Sequence, residues 1–214
     1  MKHKIEKNTV QETLILPLYS RKLCTELYPN LYQDETAVRL IDEIDYDFSE
    51  AEKNSRSLMQ RFGALEVAMR QNDLAWEVRD YLKTHPSAAV FFASGVFYYF
   101  LTQQVKALVR GMADAFPGGV LVFDAANRTA VKMIAKTWLR TAKIKDVGAY
   151  FAVSDAPKEI GEWDNRLQVT SRGYMLGYND LRDPSVSGFF RFLARVGDNG
   201  MKMQIVKSGF GGKA

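Results

Sequence analysis

Pro86-Ser87-Ala88-Ala89-Val90-Phe91-Phe92-Ala93-Ser94-Gly95-Val96 (86–96) is the stretch on which the fold turns. Ahead of it, His85-Pro86 ends any arriving helix, because the residue before a proline is pushed out of the helical region. The apolar run Ala88 to Phe92 then reads as a buried strand, and Ser94-Gly95 as the break that follows it. Upstream, Gly63 to Leu82 is amphipathic, with Ala64, Val67, Ala68, Leu74, Ala75, Val78 and Leu82 at helical spacing and Arg70 at the edge of the stripe. Downstream, Thr102 to Phe116 is helical, with Val105, Leu108, Val109 and Met112 on one face. Pro117-Gly118-Gly119 turns into a second apolar run, Val120 to Phe123, which ends at Asp124. Asn127 is placed to cap a further helix through Val131, Ile134, Trp138 and Leu139. Strand, helix, strand, helix at this spacing predicts βα units and a mostly parallel sheet covered by helices on both faces.

Further out the pattern changes at each end. Residues 1–85 read as a helical part: Thr9 to Leu27 with Pro17 inside it, a break at Tyr28-Pro29-Asn30, a helix capped by Asp34, and another capped by Ser49. Residues 86–214 read as the sheet part of the same single domain. Tyr150 to Val153 is a candidate short strand, and Pro157 to Trp163 a short helix. Arg166 to Tyr174 and Met201 to Val206 alternate like strands and are expected to pair antiparallel at the sheet edge, with a helix over Ser185 to Val196 between them. The glycine-rich tail GFGGKA (209–214) is expected to be disordered.

Composition narrows the function classes. The 214 residues are 47% hydrophobic and 25% charged, which suits one soluble domain with a sizeable core. The net charge of +4 is spread along the chain rather than clustered, so no nucleic-acid role is expected. The longest apolar stretch, Ala88 to Leu101, is 14 residues, whereas a bilayer needs about 20, so no membrane span is expected. MKHKIEKNTVQE (1–12) lacks an apolar signal core, and the single cysteine, Cys24, lies between Leu23 and Leu27 like a buried helical thiol. Both fit a cytoplasmic protein. His3 and His85 have no partners at metal-ligand spacing. There is no GxGxxG after a strand, no P-loop and no GxSxG elbow.

Several segments, taken in order, resemble the leucine carboxyl methyltransferase-like family of S-adenosylmethionine (SAM) dependent O-methyltransferases. They are Gln11 to Arg21 (QETLILPLYSR), Tyr32 to Ala37 (YQDETA), Ile44 to Phe48 (IDYDF), Ala68-Met69-Arg70 with Val78 to Leu82 (VRDYL), Gly95 to Phe100 (GVFYYF), Phe116 to Gly119 (FPGG), Val122 to Ala125 (VFDA) and Glu159 to Trp163 (EIGEW). The resemblance implies a truncated Rossmann-like class I methyltransferase fold, with SAM in the crevice outside the carboxyl ends of the strands. It implies that Arg70 pairs with the cofactor's carboxylate. Arg21, Ser94 and Gly95 are further candidate cofactor contacts, and Tyr98 and Tyr99 candidates for lining the pocket of a small-molecule acceptor. Methyl transfer to a carboxylate or hydroxyl is the implied reaction, with no general base among these residues.

The chain also departs from that family. Between Val90 and Phe91, roughly 50–60 residues are missing by resemblance, enough for a βαβ unit. With them go the glycine-rich SAM turn and the acidic residue that binds the ribose. Two readings stay open: a methyltransferase of reduced size, or a non-catalytic remnant that binds a partner, or a second copy of itself, through an exposed sheet edge.

Overall fold

A computed structural model describes residues 2–6, 9–91, 94–134, 136 and 148–211. Its elements in order are β1 (His3–Lys4), α1 (Val10–Leu27), α2 (Glu35–Glu43), β2 (Ile44–Asp45), α3 (Ser49–Asn54), α4 (Leu58–Thr84), α5 (Thr102–Ala115), β3 (Val120–Ala125), α6 (Arg128–Ile134), α7 (Ala156–Gly161), β4 (Gln168–Gly173), α8 (Gly188–Arg195) and β5 (Gln204–Gly209). The chain is mixed α/β, and among the described residues no helix is long and apolar enough to cross a membrane.

The helical part forms as its caps and spacing dictate. Asp34 accepts a hydrogen bond from the Ala37 amide at 2.8 Å and starts α2. Ser49 is the first residue of α3 rather than its cap, and Asp47 Oδ1 takes its amide at 3.0 Å. α4 is capped by Ser57 and ends at His85, ahead of Pro86. Its Ala64, Leu65, Ala68 and Met69 pack with Tyr19, Leu23 and Cys24 of α1 in one buried cluster, which makes α1 and α4 the helical core.

The sheet has three strands in the order β3-β5-β4, and both pairings are antiparallel. The expected antiparallel pair is therefore present as β4 and β5, but only β4 is an edge strand, and β5 is the central one. The expected mostly parallel sheet is not: among the described residues the only parallel pairing is the two-residue contact of β1 with β2. β3 and β4 do run in the same direction, but β5 returns between them and takes the inner edges of both. Helices on both faces are found. Val122 and Ile205 pack with α4 on one face, while Phe123 and Val206 pack with Val105, Val109 and Ala113 of α5 and Ile160 of α7 on the other.

Three further expectations fail. Ala88 to Phe91 is not a strand; Val90 is 45% and Phe91 79% exposed, and Phe92 lies outside the described residues. A strand buried on both faces needs neighbours to pair with, and the space between this segment and β3 is a cavity. Tyr150 to Val153 forms no strand; its Tyr150 and Val153 amides bond to the Tyr98 and Ala126 carbonyls instead, and Phe151 and Val153 are buried against the α5 face. Within 209–214 the expected disorder is not found at 209–211, where Gly209 closes β5 and Phe210 is buried, and 212–214 lie outside the described residues. Trp138 and Leu139 lie outside the described residues.

Candidate functional site

The residues singled out from sequence converge in part. On α4, the Arg70 side chain is only 15% exposed, and its Nη1 lies 3.2 Å from Asp124 Oδ2 at the carboxyl end of β3. The other Asp124 oxygen accepts the Gly95 amide at 2.7 Å. Gly95 adopts φ +70°, a left-handed conformation that suits glycine, and its backbone lies against the Arg70 guanidinium. Ser94 is half-buried beside it. Tyr98 is buried in a 3₁₀ turn, and its carbonyl accepts the Tyr150 amide at 2.7 Å. Tyr99 is half-buried.

Electrostatics ties this corner together. Burial works against the Arg70 charge, but Asp124, with Tyr174, Tyr98 and Glu66, outweighs it and raises the guanidinium pKa. Burial, reinforced by Asp124, lifts the Tyr98 phenol well above its ordinary value. Burial also raises Glu66, whose Oε1 accepts the Tyr174 hydroxyl at 3.1 Å.

Arg21 is held elsewhere. Its Nε donates to Asp34 Oδ2 at 2.8 Å, its Nη2 contacts the same oxygen, and the Tyr32 hydroxyl adds a third bond at 3.0 Å. Burial opposes the Arg21 charge, yet the Asp34 bond raises its pKa. This is a latch between α1 and the start of α2.

Sequence reasoning missed a polar row on α4. Glu66, Arg70, Asp73 and Glu77 follow spacings of four, three and four and so share one face. Each has a partner from the sheet half: Tyr174, Asp124, Asn179 (Nδ2 to Asp73 Oδ1, 2.8 Å) and the pair Tyr178 and Lys207 (2.6 and 2.9 Å to Glu77). The spacing was the available signal. The apolar residues interleaved with it mark the face against α1 and draw the reading away from it.

Two cavities adjoin the lower end of this row, the larger at Glu77 and the smaller at Asp73. The larger, about 600 Å³, is walled by Leu74, Val78 and Tyr81 of α4, Phe116 beyond α5, and Val120 and Val122 of β3. Among the described residues its one ion pair is Lys207 with Glu77. The smaller, about 140 Å³, lies among Asn72, Asp73, Trp76, Arg172, Tyr178 and Asn179. Neither touches Arg70, Arg21, Ser94, Gly95, Tyr98 or Tyr99.

Compared with protein-family models, with curated proteins and with solved structures, the chain finds no match in any of the three.

Proposed function

We propose that this chain acts by binding rather than by methyl transfer, as a non-catalytic relative of the class I methyltransferases it resembles. On this reading the layers α4, β3-β5-β4 and α5 with α7 are the remaining part of a Rossmann-like sheet. The observation that carries the reading is the cavity along the outer edge of β3, the side on which the missing strands would stand.

The residues present do not fit SAM. The glycine-rich turn and the ribose carboxylate are missing from the sequence by resemblance. Arg70, the candidate for the cofactor's carboxylate, is engaged by Asp124, and a second carboxylate brought to that corner meets a 2% exposed anion. Neither described cavity opens there. Methyl transfer to a carboxylate or hydroxyl acceptor therefore has no cofactor seat in either of these two cavities.

Calorimetric titration of the whole chain with SAM, paired with a thermal-shift assay, tests this. No heat and no shift at millimolar SAM is the expected result. Saturable heat that disappears in Arg70→Met would overturn the reading and restore a methyltransferase of reduced size.

A further inference from the structure

We propose that the 600 Å³ cavity takes an extended, uncharged apolar peptide segment, which adds to the sheet as a fourth strand on the outer edge of β3. This rests on the binding reading above and names the occupant of that same site.

The backbone of β3 supplies the first reason. The Phe210 amide donates to the Gly119 carbonyl at 2.9 Å, and Leu121 and Phe123 stand opposite Ser208 and Val206. Across the sheet the Tyr174 amide donates to Met203 at 3.3 Å, so β5 turns its even residues to β3 and its odd residues to β4. Antiparallel ladders alternate in this way. Leu121 and Phe123 therefore bond to β5, and Val120 and Val122 turn their N–H and C=O groups to the opposite edge, into the cavity. No other described residue bonds to those groups. Two donor–acceptor pairs, two residues apart and roughly 7 Å along the strand, match the main chain of an added strand.

The walls supply the second reason. Leu74, Val78, Tyr81 and Phe116 flank that edge and suit the apolar side chains of a strand lying between α4 and α5. Lys207 and Glu77, 2.9 Å apart, neutralise each other. No other Lys, Arg, Asp or Glu is among the described lining residues, and His85 stacks on Tyr81, so no lone charge faces an ionic ligand and an uncharged one is selected. A second copy does not supply this segment through its own β3, because that strand is recessed between α4 and α5 in the same way.

The probe is a peptide carrying a neutral dansyl label, Thr-Val-Thr-Val-Thr amide, followed by fluorescence anisotropy with the whole chain. A partner peptide N-methylated at alternate residues cannot donate along one edge. Saturable binding of the parent peptide is expected, weakened at least tenfold by N-methylation. Val122→Pro is expected to weaken it at least tenfold too. That substitution removes an N–H the β5 ladder does not use, so the thermal midpoint should remain near that of the parent protein. Val120→Pro repeats the test if Val122→Pro fails to fold, and the N-methylated peptide needs no variant at all.

Equal binding of both peptides would overturn strand addition while leaving the binding reading intact. Absence of binding at millimolar peptide would overturn it as well, as would a stable dimer in sedimentation that the peptide does not displace. Saturable heat with SAM would instead overturn the reading beneath.

Discussion

Arg70 on α4 and Asp124 at the end of β3 are 54 positions apart in the chain and meet with 3.2 Å between Nη1 and Oδ2. The pair joins the helical half of the molecule to its sheet. Asp124 is 2% exposed, and its second oxygen is taken by the Gly95 amide, so one carboxylate fixes a helix, a strand end and a loop.

Removing one partner from such a pair leaves a buried charge without compensation. Arg70→Met is expected to cost about 3–5 kcal/mol in urea unfolding. Asp124→Asn keeps an acceptor for Gly95 and removes the charge, so the double variant is expected to be more stable than Arg70→Met alone. If the double variant loses the sum of both single effects, the pair is not a coupled unit.

Gly95 tests the same corner through the backbone. At φ +70°, an added Cβ would sit 3.5 Å from Arg70 Nη2, an ordinary contact, so the penalty comes from the dihedral angle alone. Gly95→Ala is expected to cost about 1–2 kcal/mol, measured as a shift of the urea midpoint at unchanged slope. A neutral outcome would show that the loop relaxes away from Asp124.

How much of this was legible beforehand depends on the range over which each feature is decided. The Asp34 cap, the His85 stop, α4, α5 and the antiparallel pair β4–β5 follow from residues a few positions apart or from one strand's own alternation. Ala88 to Phe91 was misread because an apolar run reports what a segment prefers and not whether a neighbouring strand is there to receive it. β3 was read as a strand, but its direction relative to β5 depends on a return of the chain some 80 residues later, as Phe123 opposite Val206 illustrates. Arg70 was singled out by resemblance. That its partner is Asp124 depends on how two distant elements pack, which spacing along the chain does not encode. Asp73 was overlooked because a lone aspartate within a helix looks like a solvated face.

Cys24 offers a check on the helical core. The side chain has no exposure, and burial pushes its thiol pKa up to about 12. An ordinary cysteine, with a pKa of roughly 8.5, reacts readily with an aromatic disulfide reagent at pH 8. The native protein is expected to react only as fast as it unfolds, and one thiol per chain is expected to react at once in concentrated urea. Fast reaction without denaturant would show that α1 and α4 separate in solution.

Asp73 makes the fold sensitive to pH. Its side chain has no exposure; Oδ1 is bonded to Asn179, and Oδ2 has no partner among the described residues. Burial raises its pKa to about 8, helped by Asp198 and Glu77 and opposed by the Asn179 bond and Arg172. The sign follows from proton linkage. Below the ordinary value of 3.8 the group is protonated in both the native and the unfolded chain, and the stability tied to it is fully present. Between there and about 8, the unfolded chain releases a proton that the native state retains, so stability falls as pH rises. Above that range the native state carries a buried anion with one unbonded oxygen. Asp73→Asn retains an acceptor for Asn179 and carries no proton to lose. The variant is expected to be more stable than the parent at pH 9, by on the order of a few kcal/mol, and closer to it at pH 5. Urea midpoints at the two pH values measure the difference. A gap between variant and parent that is the same at both would show that Asp73 is ionised in the native state throughout, and would remove it as the source of the pH dependence.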